Sequence, residues 1–359
     1  MKRLSSARVL LAAAAVLATG ATAQPPTFEK LLDFNCSGLG CAPNGQLIQA
    51  SDGYLYGTTS EGGETTDRGV VFRLSLDGEY RVLTEPARWF FEASDGLFYG
   101  TSEDGGASAA GAIYQITPNG AIIDLYSFDP STATRPGPLV QGKHGSFSGI
   151  VGIPDSDLVR LFQMDPYGNV ELMRPADERI RNVRMILSAR NDLLYGTTYG
   201  GEVFRMNRNG QTRVLHTFPT LYVDIMQASD GDIYGSTIDG GTAGAGIIFR
   251  LSPSGKVTVL HEFDGGTGGA NPYQAPIQGS DGYLYGTTGM GGDYGLGTIY
   301  RMDRAGVVTL LHSFGPTAAE GLNPVGEIVF ATDGALYGTT VFGGVNGHGT
   351  AWRLRPPPR

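Results

Sequence analysis

Side chains suited to acid–base chemistry are few in this sequence, and those outside any recurring pattern stand far apart. His348 and Tyr294 fall in matching glycine-rich segments, VFGGVNGHG and GMGGDYGLG, while Arg160 and Glu92 lie well before them. A His/Tyr pair beside an arginine suits β-elimination on a uronate, in which a base removes the C5 proton while the guanidinium neutralises the carboxylate. Hydrolysis of a glycoside needs paired carboxylates instead, and Glu92 is a candidate acid. A second group is RPADERIRNVRM, residues 174–185, in which Arg174, Arg179, Arg181 and Arg184 concentrate positive charge in a chain of net charge −9. Guanidinium groups bind oxyanions in bidentate fashion, so the segment can grip carboxylate or sulfate on an acidic glycan. The plainer reading is a solvated stretch paired with its own Asp177 and Glu178. Trp89 and Tyr273 are candidate sugar-stacking rings, or else seals between packed sheets, and His144 is a further isolated candidate.

Cys36 and Cys41, in NCSGLGC, are the two cysteines of the chain. An even count in an exported protein predicts a disulfide. Two thiolates without sequence-near His or Cys partners make a poor zinc site, so neither a metal nor a cofactor is expected. Other chemistries lack their motifs. No Gly-Gly segment carries a P-loop lysine or precedes a helix, and no Asp-rich loop has calcium spacing. No serine lies in a Gly-x-Ser-x-Gly context. The acidic balance and scarce lysine argue against nucleic-acid binding.

The elements that must position these side chains are repeats. SDGYLYGTTSEGG (51–63) returns as SDGLFYGTSEDGG (94–106), SDGDIYGSTIDGG (229–241), SDGYLYGTTGMGG (280–292) and TDGALYGTTVFGG (332–344). The tyrosine before glycine falls at Tyr56, Tyr99, Tyr195, Tyr234, Tyr285 and Tyr337; a degenerate copy, HGSFSGIV (144–151), puts Ser148 in that place. The seven markers are 39 to 52 residues apart, the length of a four-stranded propeller blade. Each unit reads as an apolar first strand, an Asp-Gly hairpin turn, the YLYGTT strand, a third strand such as VVFRL or IIFRL, and a fourth such as TVLHEF. Leu55 and Tyr56 alternate across the second strand, so both sheet faces are covered. The glycine after the tyrosine is read as room for a neighbouring sheet.

The chain ends on a third strand, TAWRLRPPPR, whereas TFEKLLDF (27–34) stands alone near the start. Pairing the two closes the ring. The expected fold is therefore all-β: one seven-bladed β-propeller over residues 24–359, with a degenerate third blade at about 137–174. The preceding MKRLSSARVLLAAAAVLATGATA reads as a signal peptide cleaved after Ala23, with a basic start, a short apolar run and a small-residue end. Its apolar run is shorter than the roughly 20 residues that span a bilayer, and no later segment is apolar enough. A secreted or periplasmic monomer without a membrane span follows.

The pattern DG-x-LYGTT-x-x-GG, followed by [FYW]-[RQ]-[LM] and L-[HY]-x-F, resembles the GloVer tandem repeats of exported bacterial proteins. The likeness covers most of the mature chain and is weakest in the third unit. It implies an extracytoplasmic repeat protein, frequently surface-associated, with no general activity to carry over.

Turns after strands one and three belong to one face of such a propeller. The longer loops 60–69, 263–276 and 314–324 belong to the other, where ligands are expected. Repeated His216, His261 and His312 read as strand residues, and the Asp-Gly aspartates as turn formers. First-strand Gln49, Glu92, Gln141, Ser188, Gln227 and Gln278 read as a structural network near the channel. The first functional reading is a non-enzymatic, exported propeller presenting a face to an extracellular glycan or protein. The alternative is a carbohydrate-active enzyme, polysaccharide lyase before glycoside hydrolase, at the channel mouth.

Overall fold

The computed structural model describes residues 25–64, 68–85, 89–103, 105–117, 119–142 and 145–357. The expected signal peptide, residues 1–23, and His144 lie outside them. Seven four-stranded antiparallel sheets follow one another around a ring, and in six of them each strand lies beside its neighbour in sequence. The last sheet holds Val329–Phe330, Leu336–Thr340 and Thr350–Arg355, and Thr27–Asp33 completes it. Thr27 lies opposite Arg355 and Asp33 opposite Thr350. The closing strand also packs on both adjoining blades: the Phe28 ring stacks 3.9 Å from His312, and Phe34 lies 5.5 Å from Phe72.

The repeated motif folds for local reasons. In the first copy Asp52 Oδ1 accepts the Tyr54 amide at 3.0 Å and Oδ2 accepts the Tyr56 hydroxyl at 2.7 Å. One side chain thus shapes the turn and satisfies a phenol that is otherwise buried. The same Tyr–Asp bond recurs at Tyr99–Asp95, Tyr234–Asp230, Tyr285–Asp281 and Tyr337–Asp333, at 2.7 to 3.0 Å. Gly53 sits at φ +87°, where a side chain would be strained.

The glycine after the tyrosine serves a neighbour within its own blade, which corrects the expectation of room for another sheet. Gly57 lies opposite Phe72, and a Cβ there would fall inside 3.0 Å of that ring. Equivalent glycines face Phe162, Phe204, Phe249, Tyr300 and Trp352. Gly149 faces Phe162 in the same register, so the strand Phe147–Gly152 sets Ser148 where other blades have tyrosine.

Leu55 packs into a cluster with Tyr337 and Ala351 of the last blade, and Tyr56 into one with Phe98 and Phe90 of the second. The core therefore lies between blades, and no blade buries its faces alone. The pairing of third and fourth strands shifts register in all seven sheets, a bulge that twists the outer strand. Cys36 and Cys41 form a disulfide. Among the described residues no helix is long and apolar enough to cross a membrane.

Candidate functional site

First strands lie innermost, and each runs from the loop face to its Asp-Gly turn. Near the turn, polar side chains of five blades tie each to the blade before it. Gln227 accepts the Arg190 amide at 2.9 Å, and Gln278 accepts the Ser229 amide at 2.8 Å. Gln141 accepts from Ser94 and Gln49 from Thr332, both at 2.8 Å. Glu92 occupies this position in the second blade and accepts the Ser51 amide at 2.8 Å. It thus acts as an inter-blade clamp, at the opposite end of the channel from the loops that hold His348 and Tyr294.

At the loop-face end, charged residues from three blades converge on the axis. Arg184 is the bulged residue between Val183 and Met185 of the fourth blade, which turns its side chain toward the fifth. Its Nη1 donates to Asp224 Oδ1 at 3.0 Å and to the Val223 carbonyl at 3.1 Å. Asp224 Oδ2 accepts the Ala275 amide of the sixth blade at 2.8 Å. Glu327 of the seventh blade stands six residues before its turn aspartate, as Asp224 does, so the two carboxylates share one ring position. Trp89 has the same register in the second blade; its side chain lies outside the described part of the structure.

Glu327 keeps slight solvent contact but is walled in by protein. Burial, reinforced by the Asp224 charge and opposed by Arg184, pushes its carboxyl up to about 7. The mouth thus holds one carboxyl paired with Arg184 and one, Glu327, that takes up a proton readily.

A ledge of tyrosines adjoins these groups. Tyr222 lies 5.9 Å from Tyr199 and 6.5 Å from Tyr273, measured between ring centres, and the Arg184 guanidinium lies 5.7 Å from Tyr222. Tyr199 is 47% and Tyr222 38% exposed, unusual for rings with so many buried counterparts in this fold. The fourth blade places Tyr199 directly after Gly-Thr-Thr, and the loop before the fifth blade's first strand supplies Tyr222.

The sequence candidates are divided by this geometry. Arg184 and Tyr273 belong to the mouth. Arg179 is bound by Asp177 through two bonds, at 2.9 and 3.0 Å, which hold the Asp177 carboxyl down to about 2. Arg181 donates to the Glu178 carbonyl at 2.8 Å, and Arg174 to the Asn209 carbonyl at 3.1 Å on the outer wall. Arg160 lies in the third strand of its blade, its Nε buried and without a hydrogen-bond partner among the described residues. Tyr294 and His348 are exposed in separate loops, and no hydrogen bond joins them among the described residues. His348 stands instead beside the disulfide, its ring nitrogen and both sulfurs within 4.8 Å of one another, on a cleft of about 200 Å³.

Asp224, Glu327, Tyr199 and Tyr222 were missed by sequence reasoning. Their signal was departure from the repeat: acidic residues at the start of first strands that are otherwise apolar, and a ring, Tyr199, directly after Gly-Thr-Thr where no other copy has one.

The Gloeobacter/Verrucomicrobia repeat pattern matches residues 27–203 and 199–359. No curated protein matches the chain. Among solved structures it is similar to a streptogramin B lyase, at 16% identity and TM-score 0.65, covering 92% of this chain and 97% of the other. An oligogalacturonate lyase from Vibrio parahaemolyticus matches at 12% identity and TM-score 0.61, with 92% and 97% covered. The WD40 propeller domain of Doa1 matches at 10% identity and TM-score 0.58, with 90% and 96% covered. These likenesses speak for the fold alone.

Proposed function

The chain belongs to the Gloeobacter/Verrucomicrobia repeat family, and from that premise we propose an exported propeller that binds a neutral carbohydrate at the loop-face mouth of its channel. The carrying observation is the Tyr199–Tyr222–Tyr273 ledge set against Arg184, Asp224 and Glu327. Tyrosine faces cover the apolar C–H faces of a pyranose, while carboxylates beside them accept its hydroxyls. A neutral ligand fits better than an acidic one. Arg184 already spends its bonds on Asp224 and Val223, and two carboxyl groups and the overall −9 charge repel an anion. The leader sequence and the disulfide support export.

Isothermal titration with neutral and uronic oligosaccharides tests this reading. The expected result is binding of a neutral oligosaccharide that weakens at least tenfold in Tyr222→Ala, as stacking worth ~1.5 kcal/mol or more implies. Binding of uronic oligosaccharides alone, or of none, overturns it.

A second reading is a carbohydrate-active enzyme, and here the mouth favours hydrolase over lyase. Asp224, ion-paired with Arg184, and Glu327, with its carboxyl pushed up to about 7, match the division between base and acid in glycoside hydrolysis, whereas His348 and Tyr294 share no bond among the described residues. Product release from a neutral oligosaccharide, abolished in Glu327→Gln, would select the enzyme; unaltered substrate with intact binding would remove it.

A further inference from the structure

We propose that the fourth blade carries a second, separate site, for an oxyanion, formed by Arg205 and Arg213 on the turn side of the propeller. The two residues are direct cross-strand partners in Glu202–Met206 and Thr212–Thr217. Like charges placed directly opposite each other on paired strands are destabilising. A chain with more acidic than basic residues would ordinarily set a carboxylate or an aromatic face beside them.

Other blades do so at the same position. Arg73 lies over Tyr54 at 4.2 Å and Arg301 over Tyr283 at 5.0 Å. Arg250 pairs with Asp232 at 3.7 Å, and Arg353 pairs with Glu29. The supporting residue in three of these cases directly follows the turn glycine. In the fourth blade that residue is Leu193, which offers neither charge nor ring. Arg205 is left with one long bond, 3.5 Å to the Pro253 carbonyl, and among the described residues neither arginine has an ion pair.

The two arginines line a cavity of about 280 Å³ with Leu193, Asn207, Gln211 and Thr212. Half-buried Arg205 forms one wall and exposed Arg213 the rim. A sulfate, phosphate or carboxylate group held between them would receive charge-assisted bonds from both forks and cancel their repulsion. The site lies across the molecule from the tyrosine ledge, so it does not depend on the carbohydrate reading.

Thermal melts at constant ionic strength test it, comparing chloride with inorganic sulfate, inorganic phosphate and glucose 6-phosphate. The wild-type melting temperature should rise by several degrees with the polyvalent anions. Arg205→Gln and Arg213→Gln should each lose that rise, while Arg250→Gln keeps it. In chloride alone Arg213→Gln should melt no lower than wild type, because removing one of two facing cations relieves repulsion; this readout separates the site from a general loss of folding. A larger response to glucose 6-phosphate than to phosphate assigns the site to a phosphorylated or sulfated saccharide, and an equal response assigns it to the free ion. No rise in wild type, or an equal rise in the Arg205→Gln/Arg213→Gln double variant, overturns the proposal.

Discussion

Arg184 of the fourth blade donates to Asp224 of the fifth at 3.0 Å, and their side chains are only 15% and 13% exposed. The pair joins two blades near the axis, where little water remains to take over a lost partner. Arg184→Met should therefore destabilise by roughly 3 kcal/mol, through the charge left buried on Asp224. Adding Asp224→Asn should recover part of that loss. Urea unfolding of both single variants and the double variant measures the coupling; strictly additive effects would contradict the pairing.

Glu327 makes stability depend on pH in a defined direction. Its carboxyl titrates near 7 in the folded chain against 4.5 in the unfolded one. Between those values the native state binds the extra proton, so stability is greatest below pH 4.5 and falls as pH rises through 7. Glu327→Gln removes this dependence. Its advantage over wild type should grow from pH 5 to pH 8 by on the order of 2–3 kcal/mol, and parallel stability curves would show the group to be ordinary. Because Arg184 opposes the shift, Arg184→Met should move the Glu327 titration higher still, which a carbon-13 carboxyl titration can follow.

Gly57→Ala should cost about 1–3 kcal/mol, the range of overpacked cores, since the new methyl meets the Phe72 ring. Gly53→Ala has nothing within 4 Å of its Cβ, but it sits at φ +87° and should lose about 1 kcal/mol to backbone strain alone. A smaller loss at Gly57 than at Gly53 in chemical denaturation would refute the close approach.

Removal of residues 25–34 takes away the fourth strand of the last blade and uncovers Trp352. Thermal unfolding should then begin at lower temperature and lose cooperativity. An unchanged melting temperature would be incompatible with closure by Thr27–Asp33.

The turn chemistry, the strand order and the count of blades were legible in the sequence because they are local or periodic. Asp52 and Gly53 define a hairpin within four residues. Six Tyr-Gly markers and the degenerate copy at Ser148 count the blades, and an unpaired TFEKLLDF beside a chain ending on a third strand implies the closure. Even the degenerate blade was visible, since Gly149 and the third-strand aromatic Phe162 remain after the tyrosine is gone. The role of Gly57 was misread because its partner, Phe72, is a neighbour only across the ladder.

The mouth was not legible, for a geometric reason. Arg184, Asp224 and Glu327 come from the fourth, fifth and seventh blades and meet only because first strands approach one another around the axis. In the sequence Arg184 belongs with Arg179 and Arg181; in the fold those two bind Asp177 and Glu178 locally, and Arg184 alone turns inward. His348 and Tyr294 show the converse, since matching places in the repeat put them on separate outer loops. A repeat dictates its own unit and the number of units, but which departures from it become neighbours depends on ring radius and bulge position, and these exist only in the closed propeller.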